Sequence, residues 1–481
     1  MPTLTLTPSL PLSAPLVEPA PTASAPIRRR EYALLLAICL CFAVELSFFA
    51  PRATAVDAGQ ALSEGNPRNQ LVYGLAYLAI GLLMYRKHVP VAAILARVWP
   101  LTAVIGFAVV SAAWSEYPEV TIRRSIGLVG TTAVGLYLGW RLEPKALIVL
   151  LARVCAICMV FSLLIVLLMP ERGTMEHGSL AGNWRGMYRH KNILGVTAAV
   201  SVVCIWFAAQ AQGGFSRFWL AMLGVSVLNI LGSSSTTALG SLLGMAAIYW
   251  LFTLRIIARS LKMAAVVGAA TGAALLVLSG VIDLDAVMRS VGKSSDLTGR
   301  WPLWTKLVET SGEHVILGQG YGAFWMPRNP VVNQIWSDRY FMPIDAHNGM
   351  LNVYLDLGLL GCLVFVLWYG ISTYLALHRL DRKASPEAGF LFALLVLFAI
   401  YSVPEAIFLR GNGFLWLVMV VVSVRCCLTA RDPLVVTELS TAEPVRSIVP
   451  RPASRFAAMT DAPQARPPRL GFAAGQPEKK P

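Results

Sequence analysis

From Ala33 to Leu428 the chain runs through one apolar stretch after another, separated by short connections. Twelve such runs, at 33–50, 70–85, 98–114, 125–140, 146–169, 193–210, 218–232, 236–254, 263–282, 347–377, 388–404 and 413–428, approach the roughly 20 apolar residues of a helical membrane span. Inside lipid the backbone must satisfy its own hydrogen bonds, which a helix does within each run. Charged residues make up 14% of the chain, against about 25% in soluble domains. The expected fold is all-α: a polytopic membrane protein of about 12 transmembrane helices with one large ordered loop.

The formal charge is +14, a value that could suggest nucleic acid. Its placement argues otherwise, because the excess sits beside the apolar runs and in the C-terminal tail, where orientation and anionic lipid account for it. No nucleic-acid partner is expected. All eight cysteines fall inside apolar runs or at their ends, so no disulfide framework is implied. Cys155-Ala-Ile-Cys158 has a redox spacing, but its apolar neighbours make it a buried structural pair.

Residues 1–32 are rich in Pro, Thr, Ser and Ala and read as a disordered tail ending in Arg28-Arg29-Arg30. Ala53-Thr54-Ala55 resembles a signal cleavage site, yet the run before it exceeds the 7–15 residues of a signal core. A retained first span is expected. Residues 429–481 form a second disordered tail.

Lys and Arg in alternate short loops set the orientation. Arg28, Arg29, Arg30, Arg86, Lys87, Arg97, Arg141, Lys145, Arg217, Arg255, Arg259, Lys262, Arg379, Arg382, Lys383, Arg425 and Arg431 share one side with both tails and outnumber the opposite side by roughly two to one. Both termini are therefore expected in the cytoplasm, with helices at 33–282 and 347–428 and an outer loop at 283–346. That loop is rich in Trp, Gly and Val; loops this long are uncommon unless functional or disordered.

Three outer stretches concentrate polar groups. Trp184-Arg185-Gly186-Met187-Tyr188-Arg189-His190-Lys191-Asn192 leads into the sixth run, where Asn192 is expected to cap the helix and leave its positive end beside Arg185, Arg189 and Lys191. In Leu297-Thr298-Gly299-Arg300-Trp301-Pro302, Thr298 suits an N-cap and Pro302 the first turn, so Arg300 stands at another helix start. Both are natural anion sites. His347-Asn348 forms the third, at the mouth of the tenth run.

Blander readings stand beside these. Arg189 and Lys191 fit a lipid headgroup contact equally well, and a lone His at a helix start is more often a cap than a base. Asp283-Leu-Asp285 has a metal-binding spacing but reads better as a solvated helix end; no metal is expected. Gly318-Gln-Gly320-Tyr-Gly322 lacks a following Lys-Ser/Thr and is turn chemistry. Glu45 and Arg153 lie near opposite ends of their runs, where snorkelling to the interface suffices. Ser233 to Thr237 is expected to cap the eighth run.

In sequence order, Trp114-Ser115 with Arg123-Arg124, Arg-Gly-x-x-x-His-Lys-Asn-x-x-Gly at 185–195, Thr-Gly-Arg at 298–300, the glycine-rich turn, and Ala-His-Asn at 346–348 with Gly358 and Gly361 behind it resemble the O-antigen ligase/polymerase superfamily. The His-Lys-Asn version is most similar to ExoQ-type exopolysaccharide polymerases. A departure is Thr236, where many relatives carry a basic residue. The resemblance implies a bacterial inner-membrane glycosyltransferase that moves undecaprenyl-diphosphate-linked glycan onto a growing polysaccharide acceptor at the periplasmic face. It needs no cofactor; membrane lipid, a chain-length regulator and a flippase are the other implied partners.

In that reading Arg185 and Arg300 hold the diphosphate, since an Arg fork fits phosphate oxygens and neutralises developing charge. His347 is the base, its pKa near ambient. Arg124, Arg189, His190, Lys191, Asn192 and Asn348 bind or orient substrate. Trp184, Trp301, Trp304 and Trp325 could stack on sugars. Two alternatives remain: a ligase transferring the same donor to lipid A core, and a non-enzymatic glycolipid transporter. The latter predicts charge through the spans rather than on one face.

Overall fold

The computed structural model describes residues 27–49, 65–176, 178–278, 300–310, 312–337 and 343–428. Asp283, Asp285, Thr298, residues 1–26 and residues 429–481 fall outside them. The end of the stretch expected as a disordered N-terminal tail is instead helical, since α1 starts at Arg29. Each apolar run carries a helix. Before the long loop come α1 (Arg29–Ala43), α2 (Pro67–Arg86), α3 (Val91–Arg97), α4 (Trp99–Val110), α5 (Pro118–Arg141), α6 (Pro144–Leu168), α7 (Lys191–Ala211), α8 (Arg217–Ser233), α9 (Thr236–Thr253) and α10 (Arg259–Leu278). Within it lie α11 (Arg300–Glu309) and α12 (Pro330–Ser337), and after it α13 (Gly349–Arg382), α14 (Pro386–Tyr401) and α15 (Phe414–Cys427). The described residues form no β-sheet; a single bridge joins Thr174 to Trp184.

Among the described residues, α6, α7, α9 and α13 are long and apolar enough to cross a membrane, and α2 with α3, bent by 105°, can be counted as a fifth. The chain is an all-helical, multi-pass membrane protein. Polar caps mark helix starts: Asn66 accepts from the Arg68 and Asn69 amides ahead of Pro67, and Ser385 accepts from Ala388 ahead of Pro386. Ser235 caps α9, inside the stretch expected to do so. At α7 the expected cap is corrected. His190 Nδ1, not Asn192, accepts the Asn192 amide, which releases the Asn192 side chain for other partners.

Helix packing is close where side chains are small. Gly135 and Gly139 on α5 face Val420 and Val424 of α15, and a Cβ at either position would collide with them. Cys155 and Cys158 are buried and free, as expected. Glu45 pairs with Arg189 at 3.3 Å, and Arg153 donates to the Tyr32 hydroxyl at 2.9 Å; each has a local partner.

The described part of the long loop has a small core of its own: Leu303, Leu307, Phe324, Trp325, Val332, Ile335 and Ala346 pack on Leu355 of α13. The loop is also stitched into α13. Gly358 breaks that helix at φ 66°, and the backbone groups left over find partners in the loop. Gln319 and Gly320 amides donate to the Leu355 and Asp356 carbonyls (3.0 and 2.9 Å), and Leu359 and Leu360 amides donate to Val315 and Ile316 (2.8 and 3.1 Å). A Cβ at Gly358 would run into the Ile316 carbonyl, so the left-handed φ and the close approach both call for glycine.

Candidate active site

The site forms where three helix ends and one connection meet. Glu405, on the connection between α14 and α15, is its centre. Its Oε1 accepts from Arg300 Nη2 at 2.8 Å and from Asn192 Nδ2 at 2.6 Å, while Oε2 lies 3.4 Å from His347 Nδ1. One carboxylate thus links the start of α11, the start of α7 and the residue two places before α13. Arg300 also donates to the Pro404 carbonyl. Asn192 is fixed further: Ser235 Oγ donates to its Oδ1 at 3.3 Å and the Tyr401 hydroxyl to its carbonyl at 2.9 Å.

A second acid completes the cluster. Asp345 accepts from Arg410 Nη2 at 2.5 Å and from the His347 amide at 2.9 Å, and its Oδ1 stands 3.6 Å from His347 Nδ1. His347 sits at φ 46°, a left-handed conformation that His adopts at some cost and that places its ring between the two acids. Asn348 caps α13, accepting from the Leu351 amide at 2.9 Å. Its side-chain oxygen is thereby committed to the helix.

The electrostatics follow from these pairings. Burial pushes the Glu405 carboxyl up, but the His347 hydrogen bond and the Arg300 guanidinium outweigh it and hold the group below its ordinary range. Asp345 is likewise lowered, against burial, by Arg410 and His347. For His347 burial acts downward, yet the Glu405 hydrogen bond and the Asp345 and Glu405 charges raise it above its usual value, with Arg300 opposing. Two acids facing Nδ1 keep the proton there, so the neutral ring carries its lone pair on Nε2. That geometry suits a base. The side chain is 30% exposed, enough for a hydroxyl to reach it.

The sequence-expected residues divide. His347, Arg300 and Asn192 are brought together, with Ser235 behind them. Lys191 is buried at the same helix start, and His190 is the cap. Arg185 is held elsewhere: Nε donates to the Arg172 carbonyl at 2.9 Å and Nη2 to Glu176 at 3.4 Å. Arg189 is largely exposed beside Glu45. Arg124 donates Nη1 to the Gly322 carbonyl at 2.5 Å, bracing the glycine turn rather than the cluster. Among the tryptophans, Trp325 is buried and donates to Asn352, Trp184 covers Gly232, and Trp304 donates to the Ala346 carbonyl; Trp301 is exposed.

Glu405, Asp345 and Arg410 were not singled out from sequence. Among the described residues, no group of three or more His, Cys, Asp or Glu is arranged to hold a metal ion.

Residues 220–366 match the sequence pattern of a family described as O-antigen ligase. Across a wider stretch it is similar to the exopolysaccharide production protein ExoQ of Rhizobium meliloti (strain 1021), at 27% identity over 341 residues that cover 67% of this chain and 74% of the relative. The resemblance read from the motifs is borne out by both. The ligase-family match contains Arg300, Asp345 and His347 and ends before Glu405. The residue that joins the cluster therefore comes from beyond the matched segment.

Proposed function

We propose that the chain polymerises exopolysaccharide repeat units at the outer face of the bacterial inner membrane, taking glycan from an undecaprenyl-diphosphate carrier. The observation that carries this reading is the junction at Glu405, which places a partly exposed histidine and a buried arginine on one carboxylate. The name of the ExoQ relative and the ligase-family match support a polysaccharide-building role. In this reading the twelve helical segments cross the membrane with both termini cytoplasmic, and residues 283–346 form the periplasmic cap.

His347 Nε2 takes the proton of an acceptor sugar hydroxyl. The oxygen attacks the anomeric carbon of the donor, and the bond from that carbon to the diphosphate oxygen breaks with its electron pair on the leaving group. Arg300, held by Glu405 and Pro404, faces the developing charge, and the start of α7 with Lys191 adds positive potential. Glu405 and Asp345 position His347 and stabilise the imidazolium that forms.

A ligase acting on lipid A core shares this chemistry and differs only in acceptor. Reconstitution with lipid-linked repeat units tests the proposal: longer lipid-linked chains should appear without added lipid A core. Transfer only when core is supplied would make the chain a ligase, and no transfer with either acceptor would remove the glycosyltransferase reading.

A further inference from the structure

The opposite ends of α13, α14 and α15 enclose a cavity of about 450 Å³, within the roughly 300–1,000 Å³ of ligand sites. Its mouth carries Arg379, Arg382 and Lys383, and its walls are apolar, including Leu375, Ala388 and Cys426. The acid in its lining, Glu387, is already engaged by the buried Arg425, at 2.9 Å from Nε and 2.5 Å from Nη2. Arg379 spends one donor on the Leu428 carbonyl at 3.0 Å. Arg382 and Lys383 are exposed, and neither forms an ion pair among the described residues. Among the described residues its lining thus has a surplus of positive charge beside apolar side chains.

We propose that this cavity binds the phosphodiester headgroup of an anionic membrane phospholipid, with an acyl chain lying along α13. Three observations favour a lipid over a soluble anion. First, the stretch of α13 from Leu359 to Arg382, at about 1.5 Å per residue, spans about 36 Å, slightly more than the roughly 30 Å of a hydrocarbon core. The cations therefore stand at the membrane boundary, where anionic headgroups are found. Second, Leu363, Leu367 and Tyr374 are exposed and fall on one helical face by their spacing, a stripe that ends at His378 in the cavity lining. Third, the apolar walls would strand a fully hydrated anion against hydrocarbon, whereas a headgroup arrives with its own chains. Lys and Arg pockets between helices at this depth are suited to such headgroups. The inference stands apart from the transferase reading, because it uses none of the residues around Glu405.

The test uses the full chain in phosphatidylcholine nanodiscs doped with phosphatidylglycerol carrying a photoactivatable acyl chain. Adducts should map to α13 near Leu363–His378 and exceed those from equally labelled phosphatidylcholine. Each cation removed should lower the yield about fivefold; Arg382→Gln with Lys383→Gln should therefore nearly abolish it. Both positions are exposed, and if the double variant fails to accumulate, each single variant carries the measurement. Leu375→Trp, which fills the cavity and keeps the cations, should also lose the adduct. Equal labelling by the two lipids, wild-type yield in the cation variants or in Leu375→Trp, or competition by soluble glycerol 3-phosphate would each overturn the proposal.

Discussion

At the Gly349 end of α13, charge is matched nearly one for one: Glu405 with Arg300, Asp345 with Arg410, and His347 between the acids. At the Arg382 end, three cations share a mouth whose acid is already taken by Arg425. The two ends belong to the same three helices and differ in what water and ligand can do there. A matched, buried network holds side chains in fixed positions, since removing a partner leaves an uncompensated charge. Arg382 and Lys383, exposed and without an ion pair among the described residues, are not held in that way. Precise positioning suits a reacting hydroxyl, and a loose positive mouth suits a headgroup.

The contrast can be broken most sharply at His347. If it is the base, His347→Ala should cut turnover by roughly 10²–10⁴-fold while donor binding changes little, measured as polymer formed per folded protein. Full turnover in the variant would remove the role. Next comes Arg300→Lys, where a point charge replaces a fork that reaches Glu405 and Pro404 together. Loss of one charge-assisted hydrogen bond should slow turnover by about 10–100-fold; equal activity would mean that charge alone matters.

A smaller effect, but a more specific one, is expected from Glu405→Gln. His347 must be neutral to accept a proton, and its pKa is raised by Glu405 and Asp345 against the effect of burial. Turnover should therefore climb as pH rises through that raised value. With the carboxylate gone the climb should shift to lower pH, and an unmoved profile would disconnect Glu405 from the histidine. At the far end, Arg382→Gln with Lys383→Gln should leave turnover within about twofold, as surface changes usually do. A large loss there would make the two ends one functional unit. Last, activity should persist in EDTA; loss restored by Mg²⁺ or Mn²⁺ would bring Asp283 and Asp285 back as metal ligands.

The helices were legible because apolar runs of span length admit little else, and the structure places a helix on each. His347, Arg300 and Asn192 were legible as polar groups beside helix starts in an otherwise apolar chain. Glu405 was not: in Val403-Pro404-Glu405-Ala406 it looks like any solvated acid in a short connection. Its role arises only when segments more than 100 residues apart converge, as with Arg300 and Pro404. Arg185 shows the converse. Its motif neighbours suggested a clamp beside Arg300, but Gly173 accepts the Arg185 and Gly186 amides at 2.8 and 2.9 Å and turns the arginine toward Glu176. The break in α13 was likewise invisible, since a glycine within an apolar run is ordinary until another backbone lies against it.

That break carries a consequence for biosynthesis. Residues 315–320 leave the ribosome before α13, yet the groups that complete their hydrogen bonds are on α13 at 355–360. Until that helix is threaded and bent at Gly358, the loop has no template on which to settle. The same cap reaches the connection that bears Glu405 through the Tyr321 hydroxyl, which donates to the Leu409 carbonyl at 2.5 Å. Because Glu405 follows α14 in the chain, the cluster it forms with Arg300 and Asn192 needs α14 as well as the cap and α7.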